Sequence, residues 1–103
     1  MGAFQKVGET KDLPPGRGMA FDLAGQRIAV FNVDGSYCAI GDTCTHRGGP
    51  LSEGVLDGFT VTCPFHGAQF DVRTGEKLSP PAPTGIPCYK VRVEGSEIQV
   101  EVP

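Results

Sequence analysis

The stretch RIAVFNVDGSYCAI, residues 27–40, decides the fold. Apolar residues recur at every second position on both sides of Asp34-Gly35, which is the period of a β-strand. Glycine supplies the positive backbone torsion that a tight hairpin turn requires. The stretch therefore predicts two antiparallel strands, residues 27–33 and 37–40, joined by a short turn.

The same pattern continues on both sides of this hairpin. It predicts six further strands, at residues 4–8, 19–23, 60–63, 69–72, 89–93 and 97–102. The pairs Ala24-Gly25, Asp57-Gly58, Thr74-Gly75 and Gly95-Ser96 lie between strands, where they predict hairpin turns. Helical periodicity is hard to find. Short, numerous strands with frequent turns indicate an all-β, antiparallel sandwich or small barrel.

Length and charge limit the number of domains and the classes of partner that can be expected. The 103 residues predict one domain, 1–103. The net charge is -3, and lysine and arginine do not cluster, so nucleic acid is not expected as a partner. No apolar run approaches membrane-spanning length and residues 1–10 lack the features of a signal peptide. We therefore expect a cytoplasmic protein without a membrane partner.

Two segments interrupt the strand pattern, residues 41–56 and 79–87, and the first carries two of the ligand candidates. Cys44-Thr45-His46 forms a C-x-H motif, and Cys63-Pro64-Phe65-His66 forms a C-x2-H motif. Thiolates suit zinc or iron–sulfur clusters, and neutral imidazoles suit zinc or iron. The four side chains Cys44, His46, Cys63 and His66 therefore predict a metal site.

The residues around the motifs favour a cluster over zinc. Gly48, Gly49 and Gly67 let loops approach closely and leave backbone amides free, and Pro64 stiffens the second motif. Amide hydrogen bonds to sulfur stabilise the reduced state of an iron–sulfur cluster. A structural zinc site remains the alternative at this point.

With these motifs the sequence resembles the Rieske family, and most closely the Rieske-type ferredoxins of bacterial ring-hydroxylating oxygenase systems. The resemblance extends to Gly67, to Pro80, Pro81 and Pro83, and to the closing valine-rich strands. It implies a Rieske-like fold in which two loops form a cluster-binding subdomain at about residues 41–84. It also implies one [2Fe-2S] cluster of the Rieske type, with Cys44 and Cys63 on one iron and His46 and His66 on the other.

The departures from respiratory and photosynthetic Rieske proteins are informative. Those proteins carry a disulfide-forming cysteine in each cluster loop, where this chain has Gly49 and Phe65. The respiratory proteins also carry serine and tyrosine where this chain has Ala68 and Phe70, so two hydroxyl donors to cluster sulfur are missing. We therefore predict a reduction potential at the low end of the Rieske range, on the order of -150 mV.

The resemblance implies a soluble, monomeric electron carrier rather than an enzyme. It would take single electrons from a flavin-dependent NAD(P)H reductase, a flavoprotein ferredoxin reductase, and deliver them to a terminal aromatic-ring-hydroxylating oxygenase. One alternative is a permanently bound small Rieske subunit of a larger oxidoreductase. Another is a zinc-stabilised interaction module without redox activity.

Other conspicuous residues have simpler interpretations. Cys38 and Cys88 are expected to pack as small apolar side chains. Arg47 fits equally a docking role and a solvated loop. The prolines at 80, 81, 83 and 87 are expected to fix a loop that covers the cluster. The acidic residues near the first motif, Asp42, Glu53 and Asp57, are expected to be solvated surface.

Overall fold

The computed structural model describes residues 3–23, 25–43, 50–65, 67–79 and 85–102. Within these ranges eleven strands form three antiparallel sheets, in the orders β1-β11-β10, β2-β3-β4-β9 and β5-β6-β7-β8. The strands are β1 Ala3–Glu9, β2 Gly18–Leu23, β3 Gln26–Val33, β4 Ser36–Gly41, β5 Val55–Asp57, β6 Thr60–Thr62, β7 Gln69–Asp71, β8 Lys77–Ser79, β9 Cys88–Tyr89, β10 Val91–Glu94 and β11 Glu97–Val102. Single 3₁₀ turns occupy Thr10–Asp12 and Leu51–Glu53.

The β3–β4 hairpin forms as the sequence predicts. Val33 pairs with Ser36 across the turn, and Asp34 and Gly35 have φ values of 50° and 92°. Two consecutive positive torsions give the turn whose twist matches the twist of the flanking strands. This turn fixes the register between β3 and β4.

Strand β3 lies between two hydrophobic cores because both of its faces are covered. Ile28 and Val30 join a core with Leu13, which follows the first 3₁₀ turn, with Ala39 of β4, and with Ile98 and Val100 of β11. The alternate residues Ala29, Phe31 and Val33 join a second core that includes Ile40, Leu51, Val61, Cys63, Ala68, Phe70, Val72 and Ile86. The sheet that contains β3 is therefore the middle layer, and the small sheet β5–β8 packs on one side of it.

The all-β, antiparallel prediction is confirmed, with corrections at three places. The segment 41–56 is not wholly loop, because β5 begins at Val55. Strand β8 was not predicted either, and the predicted strand 89–93 is divided between β9 and β10. Both missed strands have three residues. Unlike the predicted segments 60–63 and 69–72, they are not extended by a further apolar residue that would complete an alternating pattern.

An exposed ion pair holds the turn that follows β7. Arg73 donates from Nε to Asp71 Oδ1 at 3.1 Å and from Nη2 to Asp71 Oδ2 at 2.9 Å, and its backbone amide also donates to Asp71 Oδ1. The guanidinium lies 4.4 Å from the centre of the Phe59 ring. The turn that begins at Asp71 is thus attached to the β5–β6 hairpin.

The ion pair makes stability depend on pH in the acid range. Hydrogen bonds from Arg73 lower the pKa of Asp71, so the unfolded chain binds this proton more readily than the folded chain. The ion pair contributes fully to the free energy of unfolding above the unfolded pKa of Asp71, about 3.9. This contribution is lost as the pH falls through the lower pKa of the folded state. We expect Asp71→Asn to lower the thermal midpoint modestly at pH 7, with a smaller difference from wild type below about pH 4.

Thermal unfolding at several pH values, at low and high salt, measures this effect. Because Arg73 is exposed, salt at about 1 M should reduce the difference at neutral pH. A difference that stays constant from pH 7 to pH 3 would assign the effect of the substitution to packing instead.

Across the described ranges, no helix is both long and apolar enough to cross a membrane.

Candidate metal centre

Cys63 lies where β6 ends and the second motif begins. Its side chain is 2% exposed and belongs to the core between the small sheet and the middle sheet. Its backbone amide donates to the carbonyl of Ala68 at 2.7 Å, which closes the loop that carries the C-x2-H motif. Within this loop the amide of Phe65 donates to Cys63 Sγ at 3.4 Å. A sulfur that accepts an amide hydrogen bond is stabilised in its charged form.

The ends of the first motif's loop are held together. Thr43 and Pro50 form an antiparallel bridge, and the amide of Leu51 donates to the carbonyl of Asp42 at 2.7 Å. Leu51 is fully buried in the same core as Cys63. The loop that carries Cys44 and His46 therefore leaves and returns at one point of the middle sheet.

Gly54 brings the two motif loops close to each other. A Cβ at this position would overlap the carbonyl oxygen of Thr62, the residue before Cys63, and would lie 3.1 Å from the carbonyl oxygen of Leu51. Only glycine allows so close an approach of the backbones. The end of the first loop thus lies directly against the beginning of the second.

The proline-rich segment returns to the fold beside the same elements. The amide of Ile86 donates to the carbonyl of Gly75 at 2.7 Å, and the amide of Gly41 donates to the carbonyl of Pro87 at 2.9 Å. The three segments that carry the two motifs and the prolines therefore all begin or end around the middle sheet and β6–β7. Residues 80–84 themselves lie outside the described residues.

Of the four proposed ligands, Cys63 lies within the described residues, and Cys44, His46 and His66 lie outside them. The surroundings of Cys63 fit a cluster ligand, because a buried thiolate with an amide donor is the environment that iron–sulfur sites use. The structure brings the residues that follow the first motif's loop against the start of the second loop, and the ligand set stays a prediction.

The other two cysteines, Cys38 and Cys88, differ in their burial. Cys38 is half-buried and packs against the core that contains Cys63, as expected. Burial, assisted by the charge of Asp71 and opposed by that of Arg73, raises the pKa of the Cys38 thiol. The packing predicted for Cys88 is wrong, because Cys88 is exposed at the start of β9.

Three residues that shape the site were not expected from the sequence. Asp42 is 1% exposed, so the expectation that it is solvated is wrong, whereas Glu53 and Asp57 are exposed as expected. Gly54 and Gly75 were also not singled out for close backbone contacts. The turn pair Thr74-Gly75 was a signal for the second of these, but no pattern in one sequence reports which carbonyl a glycine touches.

Comparison with known proteins identifies the family. The family model described as Rieske [2Fe-2S] domain matches residues 3–90. The biphenyl dioxygenase ferredoxin subunit of Pseudomonas sp. strain KKS102 is 40% identical over 99 residues, which cover 95% of this chain and 91% of that protein. These matches cover both motifs and most of the strands.

Solved structures show the same relationship. The ferredoxin of carbazole 1,9a-dioxygenase from Nocardioides aromaticivorans IC177 superposes with a TM-score of 0.90 at 34% identity, covering 95% of this chain and 96% of that one. A chain in the complex of reduced oxygenase and oxidized ferredoxin of carbazole 1,9a-dioxygenase superposes with a TM-score of 0.88 at 38% identity, covering 94% and 91%. The chain therefore belongs to the Rieske [2Fe-2S] domain family and carries one cluster of that type.

Proposed function

We propose that this protein is a soluble, cytoplasmic ferredoxin that carries single electrons from a flavin-dependent NAD(P)H reductase to a terminal aromatic-ring-hydroxylating oxygenase. The observation that carries the proposal is a match over nearly the whole chain to ferredoxin subunits of dioxygenase systems. One neighbouring structure is a complex of such a ferredoxin with its oxygenase, which supports an oxygenase as the electron acceptor.

The proposed ligands are Cys44, His46, Cys63 and His66, with the cysteines on one iron and the histidines on the other. When bound, the cluster takes up and releases one electron. Cys63 would supply its sulfur from a buried position, and the amide of Phe65 would offset the charge on that sulfur. The burial of Cys63 keeps water away from this sulfur.

The domain organisation proposed with this function is a single Rieske domain, 1–103, with a cluster-binding subdomain at about 41–84. Its support is the separate small sheet β5–β8, which spans Val55 to Ser79 and has its own hydrophobic face against the middle sheet. Phe65, which precedes His66 in sequence, is 48% exposed, so this residue of the second motif is at the surface, where a partner could approach.

Anaerobic stopped-flow spectroscopy tests the proposal. The purified holoprotein is mixed with NADH and a catalytic amount of flavoprotein reductase from an aromatic dioxygenase system, and then with the oxidised oxygenase of the same system. We expect the visible spectrum to bleach by one electron per chain and to recover when oxygenase is added. The proposal fails if dithionite reduces the protein but neither partner exchanges electrons with it.

Size-exclusion chromatography separates this carrier from the permanently bound subunit considered above. A carrier should be monomeric and fully loaded with iron when it is produced alone. A fixed subunit should aggregate alone and co-elute with its larger partner. Among the described residues the exposed large apolar side chains are Val55, Phe65, Leu78 and Val93.

A further inference from the structure

A buried carboxylate stands two residues before the first proposed ligand. Asp42 follows β4 and its side chain is 1% exposed. Its Oδ2 accepts a hydrogen bond from Arg27 Nε at 2.9 Å, and the Arg27 side chain is 53% exposed. The pair therefore joins a fully desolvated carboxylate to a guanidinium at the edge of the solvent.

The other polar atoms of Asp42 bind both ends of the loop. Oδ1 accepts the amide of Ser52 at 2.7 Å, and the backbone carbonyl accepts the amide of Leu51 at 2.7 Å. The backbone amide of Asp42 donates to the carbonyl of Arg27 at 3.0 Å. One residue thus joins the start of β3, the point where the loop leaves and the point where it returns.

The chemistry of this position requires a carboxylate. Both Asp42 oxygens face donors, an arginine N–H on one side and a backbone N–H on the other. An asparagine of the same shape would present its NH₂ group to one of these donors, so that two donors would face each other and the buried NH₂ group would lack an acceptor there. A buried charge is stable only when it is paired and hydrogen-bonded. Loss of one contact of the Asp42 carboxylate would therefore weaken the others.

We propose that Asp42 is a positioning residue for the cluster: it fixes the geometry of the loop from which Cys44 and His46 would bind. This inference rests on the proposed function, since it takes those two residues as ligands. The contact to Ser52 prevents the loop's end from separating from its beginning. Donor atoms that are held in place before binding lose less freedom on binding, so iron should be retained longer.

The test compares holoprotein with wild-type sequence and with Asp42→Asn in three measurements. Hydrogen exchange at the amides of Leu51 and Ser52 reports whether the loop ends separate. Transfer of iron to a chelator such as bathophenanthroline under anaerobic reducing conditions reports retention. The electron paramagnetic spectrum of the reduced protein reports ligand geometry. We expect faster exchange at both amides, iron release about 10- to 100-fold faster and altered g-values.

Two substitutions provide matched controls. Asp22→Asn removes the exposed partner of the same guanidinium, whose Nη1 lies 3.8 Å from Asp22 Oδ1. Glu53→Gln removes one exposed charge from the 3₁₀ turn that contains Ser52. Both should leave iron release and g-values at wild-type values, so that an effect of Asp42→Asn does not come from charge alone.

Arg27→Gln provides a second test that does not depend on the folding of Asp42→Asn. The strand pairing of Arg27 with Asp22 uses backbone atoms, and the carboxylate of Asp42 would lose only its side-chain partner. We expect iron release to accelerate in the same direction. Wild-type release, exchange and g-values in both variants would overturn the proposal while leaving the ferredoxin function intact, whereas a wild-type protein that binds no cluster would overturn the proposed function.

Discussion

Replacing Cys63 by serine should remove the cluster while leaving the fold in place. The substitution exchanges sulfur for oxygen at a buried position, so little volume is lost, but the soft donor that iron–sulfur clusters require disappears. We expect visible absorbance and iron per chain to fall by about tenfold or more. Far-ultraviolet circular dichroism should still show a β-rich chain.

Cys88→Ser and Cys38→Ser are the matched controls for this prediction. Neither Cys38 nor Cys88 belongs to the C-x-H or the C-x2-H motif, so neither is a proposed ligand. Both variants should keep wild-type absorbance and iron content. Full cluster content in Cys63→Ser, or its loss in Cys88→Ser, would contradict the proposed ligand set.

Alanine at Gly75 should produce the largest loss of stability among the glycines of the turns. Gly75 has φ +79°, and a Cβ there would overlap the carbonyl oxygen of Ile86. The strained torsion and the overlap with backbone act together, and we expect a loss of about 3 kcal/mol or more. In a domain of this size the thermal midpoint should fall by more than about 10 °C.

Gly25→Ala separates the two causes. Gly25 has nearly the same torsion, φ +78°, but nothing lies within 4 Å of the position that its Cβ would take. This variant should lose only the torsional contribution, about 1 kcal/mol. Equal losses in Gly25→Ala and Gly75→Ala would show that the contact with Ile86 is unimportant. The measurement is thermal unfolding followed by circular dichroism.

Local pattern was enough to predict most of the sheet structure. All eight predicted segments contain strand residues, and the Asp34-Gly35 turn has the torsions expected of it. The continuous burial of Ile28 to Val33 could not be derived from pattern alone, because it depends on which sheets cover the two faces of β3. The short strands β5 and β8 owe their existence to pairing with neighbours rather than to propensity.

The ligand chemistry of the site was predictable from the sequence, but the contacts that hold its loops in place were not. The C-x-H and C-x2-H motifs indicate a metal site because thiol and imidazole side chains rarely alternate in this way by chance. Asp42 was misread because a charged residue in a polar segment is usually solvated. Its burial results from Arg27 and Ser52, which are distant in sequence. The close approach of Gly54 to the carbonyl of Thr62 likewise arises from the tertiary structure and leaves no pattern in the sequence.

The midpoint potential of the purified holoprotein tests the central claim most directly. Protein-film voltammetry on the cluster-loaded chain should give a single one-electron wave on the order of -150 mV, because Ala68 and Phe70 provide no hydroxyl donors to the cluster. A midpoint well above zero would contradict the low-potential ferredoxin. A protein that shows no wave and binds zinc after anaerobic reconstitution with iron and sulfide would contradict electron transfer altogether.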